Sequence, residues 1–165
     1  MSDKIDQNIA GAFAEESKAA ARYEAFALKA DKEGFPGISR LFRVMSDSKT
    51  VHTKRFLGLM RGKIGSTEEN LMESFERESL LKKEYYPPMV EEARAASKAV
   101  KKAFLQTMHT DGEHAEIYKA AMKEMLAGND RVYYVCQICG HIHFDEIPDK
   151  CPICHAVPGR FKKVT

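Results

Sequence analysis

The sequence predicts an all-α four-helix bundle followed by a small C-terminal metal-binding β domain. Residues 1–129 are rich in Ala, Glu, Lys, Leu and Met, which favour helices, and their apolar residues recur with helical period. Residues 130–165 begin with a strand-like segment, are punctuated by Pro and Gly, and contain all four cysteines. At about 36 residues this part is too small for a self-sufficient core and needs a metal. We therefore divide the chain into domains 1–129 and 130–165.

Turn and cap signals divide the first domain into four helices. Breakers at 33–37 and 62–65 end the first and second helices, and Ser66 with Glu69 forms a capping box that opens the third. A weaker break at 96–97 opens the fourth. The proline pair 87–88 is expected to kink the third helix without ending it. The predicted helices span residues 3–32, 37–61, 67–95 and 97–127.

Each predicted helix carries ionisable residues near the middle of its apolar stripe. A buried charge is costly unless it is paired or binds a metal, and antiparallel pairing would bring these residues to one level. Carboxylates and imidazoles suit iron, manganese and zinc, and Asp111 with His114 places one of each on the same helix face. The stripe of the third helix also places Tyr85 inward. The predicted polar site consists of Glu16, Lys49, His52, Glu78, Asp111 and His114.

The four cysteines form two Cys-x-x-Cys pairs, Cys136 with Cys139 and Cys151 with Cys154. Two such pairs supply the four thiolates of a tetrahedral metal site. Iron and zinc both suit this donor set. Zinc would be structural, whereas iron would carry electrons, and the spacing leaves both open.

Charge and hydropathy exclude several classes of partner. The 26 basic residues nearly balance the 24 acidic ones, which argues against a nucleic-acid binder. No apolar run reaches the roughly 18 residues of a membrane span. The N-terminal residues lack the apolar core of a secretory signal, so a cytoplasmic location is expected.

These features together resemble the rubrerythrins, which join a ferritin-like four-helix domain to a rubredoxin-like domain that binds iron through four cysteines. The resemblance implies a peroxide reductase of oxidative-stress defence. It implies electrons that come from a reductase and reach a diiron centre through the rubredoxin-type iron. It also implies that Glu16, His52, Glu78, Asp111 and His114 stand at ligand positions of that centre. The residues that carry the resemblance are Ala14-Glu15-Glu16-Ser17, Arg22-Tyr23, Glu33-Gly34-Phe35-Pro36, His52 with Lys54, Glu78, Tyr86-Pro87, His114 and the four cysteines.

Three positions depart from the family pattern. Lys49 stands where a glutamate bridges the two irons, Leu81 replaces a second carboxylate of helix 3, and Asp111 shortens a bridging glutamate. An ammonium between two irons would repel both. One divalent ion and Lys49 would instead balance the three remaining carboxylates. We therefore expect one bundle metal or none rather than two.

If one ion binds, the charge count assigns it to Glu78, Asp111 and His114, with Glu16 paired to Lys49. Loss of the bridging carboxylate leaves two alternatives to a peroxide reductase. One is a non-enzymatic electron carrier or redox adaptor. The other is a helical structural protein with a zinc-ribbon tail.

The short connection between the second and third helices predicts a domain-swapped homodimer. In a ferritin-like bundle these helices are roughly parallel, so their connection must run the length of the bundle. A 25-residue helix is about 38 Å long, whereas residues 62–66 reach about 18 Å. The connection is too short to cross, so either the four helices run alternately up and down, or helices 1–2 of one chain pack with helices 3–4 of another. Rubrerythrins with a similarly short connection exchange helices in this way, so the resemblance implies the domain-swapped homodimer.

Overall fold

The computed structural model describes residues 3–124 and 131–164. Its helices followed by a small sheet confirm the predicted fold class. The predicted end of the fourth helix at 127 and the domain boundary at 129 lie outside the described residues. None of the described helices is both long enough and apolar enough to cross a bilayer. The elements are α1 (Asp3–Lys32), α2 (Pro36–Leu59), α3 (Thr67–Leu80), a π-helical turn (Leu81–Tyr85), α4 (Tyr86–Ala96), α5 (Lys98–Glu124), β1 (Tyr133–Cys136), β2 (Ile142–Phe144) and β3 (Phe161–Val164).

The chain divides into two compact units, residues 1–65 and 66–165. The first unit is the hairpin of α1 and α2. Its turn is made by Gly34, whose φ of 80° is unfavourable for other residues. Small residues let the two helices approach closely, because Ala27 and Ser39 are fully buried and Ser46 Oγ donates to the Ala20 carbonyl at 2.9 Å.

The second unit contains α3, α4, α5 and the sheet. The predicted capping box opens α3: Ser66 Oγ accepts from the Glu69 amide, and the Glu69 carboxylate accepts from the Ser66 amide at 2.6 Å. The helical path changes at the π-helical turn, directly ahead of the prolines, where the Tyr86 amide donates to the Leu81 carbonyl.

The π-helical turn corrects one prediction. Such a turn contains one residue more than an α-helical turn, so it shifts the inward face by one position. Tyr85 is consequently 52% exposed, and Tyr86 is half-buried in the inward position expected for Tyr85.

The cysteine domain, residues 131–164, is built on a three-stranded antiparallel sheet in the order β2-β1-β3. Tyr133 in the central strand lies opposite Phe144 on one side and Val164 on the other. Cys136 ends this strand and is buried, so the sheet fixes the position of the first thiol.

Candidate metal centre

The four cysteines converge at the end of the sheet as free thiols. The Sγ atoms of Cys136 and Cys154 are 3.6 Å apart, and those of Cys139 and Cys151 are 3.5 Å apart. A tetrahedral ion with metal–sulfur bonds of about 2.3 Å requires sulfur–sulfur separations of about 3.8 Å. The thiols are therefore already close to the spacing of a four-thiolate site.

Both cysteine loops have the same backbone geometry. The Gly140 amide donates to the Cys136 carbonyl and the His155 amide donates to the Cys151 carbonyl, each at 2.9 Å. Gly140 and His155 both have positive φ, of 82° and 62°. Each loop thus turns tightly enough for its two thiols to face one point.

Burial and hydrogen bonding affect the thiol pKa values in opposite directions. Burial raises the pKa of Cys139 and of Cys154. Burial also opposes ionisation of Cys136, but the amides of Ile138 and Cys139 donate to its sulfur and lower its pKa overall. Burial thus opposes the thiolate form of these neighbouring groups, and a bound cation would offset that cost, so the donor set fits a bound metal.

A second group of potential ligands lies between α3 and α5. Glu78, Asp111 and His114, hereafter the helical-site trio, offer ligand atoms that all lie within 4.8 Å of one another. Asp111 is buried, whereas Glu78 and His114 are partly exposed. Burial raises the pKa of both carboxyl groups, and the charge of Asp111 raises that of Glu78 further. Burial thus opposes the ionised form of both carboxyl groups, and a bound cation would offset that cost.

The orientation of the trio fits an ion. Glu78 Oε2 is buried without a hydrogen-bond partner among the described residues. His114 Nε2 lies 3.2 Å from the Gly140 carbonyl, to which it can only donate, so Nδ1 of the neutral ring carries the lone pair. This Nδ1 is 4.0 Å from Glu78 Oε1, too far for a hydrogen bond. The distance between these two atoms is about twice the roughly 2 Å bond that zinc and similar metals make to nitrogen or oxygen, so there is room for one ion between them.

The other predicted site residues form a separate hydrogen-bonded group in the first unit, hereafter the ammonium cluster (Glu16, Lys49 and His52). Lys49 Nζ lies 3.0 Å from Glu16 Oε2, and His52 Nδ1 lies 2.9 Å from the same oxygen. The hydrogen bonds from His52 and Lys49 lower the pKa of Glu16. Glu16 is therefore an ionised carboxylate whose charge is already neutralised by a protein cation.

Sequence reasoning did not identify two features near the trio. Burial raises the pKa of Tyr86, and the charges of Asp111 and Glu78 raise it further, so this phenol remains a hydrogen-bond donor at neutral pH. Glu113, between the two α5 ligands, accepts from His141 Nδ1 at 2.6 Å. The one signal for Tyr86 was its place before Pro87, and no sequence pattern joined Glu113 to His141.

Glu78→Gln is expected to stabilise protein that lacks the helical-site ion by about 1 kcal/mol at neutral pH, because it removes a partly buried charge beside Asp111. The same change should abolish metal binding there. Because the folded-state pKa of Glu78 is raised, wild-type stability should recover as pH falls towards the ordinary value of 4.5, and the difference should vanish below it. Urea unfolding at several pH values measures this, with exposed Glu76→Gln as the control. A less stable metal-free Glu78→Gln would contradict it.

Comparison with known proteins gives a consistent result. Residues 7–69 match the family model described as rubrerythrin, and residues 134–162 match the rubredoxin-like domain of rubrerythrin. Nigerythrin of Nitratidesulfovibrio vulgaris is 30% identical, with 90% of this chain and 80% of that protein covered. Rubrerythrin of Porphyromonas gingivalis is 29% identical over 92% of this chain and 85% of that protein. A structure of nigerythrin in a mixed-valence state has a TM-score of 0.57 at 29% identity, covering 96% of this chain and 86% of that one.

Proposed function

Since this chain belongs to the rubrerythrin family, we propose that it reduces hydrogen peroxide at a single metal ion held by the helical-site trio. The family supports a non-haem iron oxidoreductase, and the four-cysteine cluster indicates an iron cofactor. The convergence of the trio carries the proposal, because Glu16, the remaining carboxylate, is neutralised by Lys49. The proposed electron donor is a reductase, and the setting is the oxidative-stress defence of the cytoplasm.

The residues around the trio have definable roles in this reaction. If iron binds at both sites, the two ferrous ions would supply the two electrons that, with two protons from solvent, reduce one hydrogen peroxide to two waters. Glu78, Asp111 and His114 hold the helical-site ion, and the Gly140 carbonyl fixes the His114 ring. Tyr86, a neutral phenol, can donate a hydrogen bond at the site.

We further propose that the active form is a domain-swapped homodimer. α2 is 24 residues and so about 36 Å long, whereas residues 60–66 between α2 and α3 reach about 24 Å. The hairpin of α1 and α2 also exposes large apolar side chains, among them Phe26, Leu41 and Val44. A surface of this kind is typical of an interface. In the dimer, the ammonium cluster of one chain would face the helical-site trio of the other.

Lengthening residues 62–65 by about a dozen glycine and serine residues should allow monomeric bundles. Light scattering during size-exclusion chromatography measures the mass of both proteins. A monomeric wild type would contradict the dimer, and an unswapped wild-type crystal structure would contradict the exchange of hairpins.

Metal quantitation tests the single-ion proposal. Anaerobically prepared wild type should contain about two metal ions per chain, one at the cysteines and one at the trio. His114→Ala should lower this to about one, whereas His109→Ala, an exposed histidine on the same helix, should leave it unchanged. A wild-type content of about three ions, or of one, would refute the single ion at the trio.

Peroxide-driven reoxidation tests the chemistry. After anaerobic reduction, hydrogen peroxide should restore the visible absorption of the ferric cysteine site faster in wild type than in His114→Ala. If protein with both ions bound is not reoxidised faster than that variant, peroxide reduction is wrong. In that case, the native lysine at position 49, where the family has a bridging glutamate, would favour the alternative function of an electron carrier.

A further inference from the structure

Two adjacent residues of α5 hold two adjacent residues of the first cysteine loop. His114 Nε2 donates a hydrogen bond to the Gly140 carbonyl at 3.2 Å, and His141 Nδ1 donates one to Glu113 Oε2 at 2.6 Å. Both contacts lie within the second unit of the chain. The loop that carries Cys139 is therefore attached directly to the helix that carries two members of the helical-site trio.

The Glu113–His141 contact is the stronger of the two attachments. The His141 side chain is only 8% exposed, and its Nε2 is buried without a partner among the described residues. Its polar pairing therefore depends on Glu113, and a short hydrogen bond to a carboxylate is stronger than one between neutral groups. The buried Thr110 side chain also borders this loop, since its methyl group lies 3.7 Å from where a Cβ added at Gly140 would be.

We infer that Glu113 is a positioning residue for electron transfer. Through its hydrogen bond to His141 it holds the cysteine domain against α5, and this keeps the Gly140 carbonyl hydrogen-bonded to His114 Nε2. This inference rests on the proposed function. One electron crosses the contact at a time. With iron bound at both sites, one electron would pass from a ferrous ion at the cysteines to a ferric ion at the trio. The first ion would become ferric and the second ferrous, with no covalent bond made or broken. Glu113 touches neither metal site in this role, and it acts by keeping the path between them short.

The substitutions that test this inference are matched. Glu113→Ala and His141→Leu each remove the hydrogen bond from one side. His141→Asn keeps a donor near the position of Nδ1 and should restore the contact. Glu91→Ala, which removes an exposed glutamate of α4 paired with Arg94, controls for the loss of a surface carboxylate in the same unit.

Two measurements report on the contact. Nitrogen-15 relaxation of full-length protein with zinc at the cysteines compares the tumbling of residues 131–164 with that of α5. We expect equal correlation times in wild type and a shorter time for the cysteine domain in Glu113→Ala and His141→Leu. Stopped-flow reoxidation of the reduced iron protein by peroxide should slow about tenfold in the same two variants. The reduction potential and visible spectrum of the cysteine iron should not change.

The inference is overturned if both variants tumble and react like wild type. It is also overturned if the slower reaction is accompanied by a shifted potential, because the effect would then lie at the cysteine iron. If His141→Asn reacts as slowly as His141→Leu, loss of the hydrogen bond to Glu113 is not the cause of the slower reoxidation. If wild type itself is not reoxidised by peroxide, the proposed function fails, while the relaxation measurement still decides whether Glu113 holds the domain.

Discussion

Lys49→Glu is expected to raise the iron content by about one ion per chain and to accelerate peroxide turnover. In the wild type, Lys49 Nζ lies 3.0 Å from Glu16 Oε2. This ion pair competes with a second metal ion for the Glu16 carboxylate. The substitution changes the local charge by two units, releases Glu16 and adds a ligand beside His52. Carboxylate and imidazole donors in this arrangement suit iron.

The matched control for this prediction is Lys49→Gln. It removes the ammonium without supplying a carboxylate, so it should leave the iron content at the wild-type level. Metal-free Lys49→Glu should be less stable than wild type, because two carboxylates then face each other, and added ferrous iron should reverse the loss. Anaerobic metal analysis and thermal unfolding with and without iron measure both effects. An unchanged iron content in Lys49→Glu would show that more than the ammonium excludes the second ion.

Local chemistry made the cysteine cluster predictable. The ligands of each loop are separated by only two residues, so the tight turn that brings them together is specified within a single segment. The start of α3 is specified in the same way, by Ser66 and Glu69. The charge count paired Lys49 with Glu16 across a longer separation, and the structure contains that ion pair. This ion pair could be predicted from the sequence because an ammonium on an apolar stripe needs a nearby carboxylate.

Features that depend on packing between distant segments could not be predicted. Tyr85 and Tyr86 suit the apolar stripe equally well, and only the π-helical turn makes Tyr86 the inward residue. Glu113 and His141 are 28 residues apart, the first on α5 and the second in the loop between β1 and β2. Either side chain, taken alone, is compatible with a solvated surface position. Their pairing follows from how the cysteine domain contacts α5, which no periodicity encodes.

Cys151→Ala is expected to unfold the cysteine domain while α1–α5 remain helical. The Cys151 side chain is fully buried at the centre of the thiol cluster, so its loss removes one of four metal ligands. A domain of this size cannot replace the metal with hydrophobic burial, because binding of a structural ion contributes about 10 kcal/mol or more to folding. Nuclear magnetic resonance spectra should lose the dispersed amide signals of β1–β3. Pro152→Ala, in the same loop with every thiol retained, should keep them.

The same substitution should also weaken the helical site. Unfolding the cysteine domain removes the Gly140 carbonyl from His114 Nε2, and with it the contact that fixes the ring and its tautomer. Loss of such a partner typically lowers metal affinity about 10- to 100-fold. Competition with a metal chelator measures the affinity of the trio in Cys151→Ala and in Pro152→Ala. Equal affinities would mean that α3 and α5 alone orient His114, and the two metal sites of this chain would then be structurally independent.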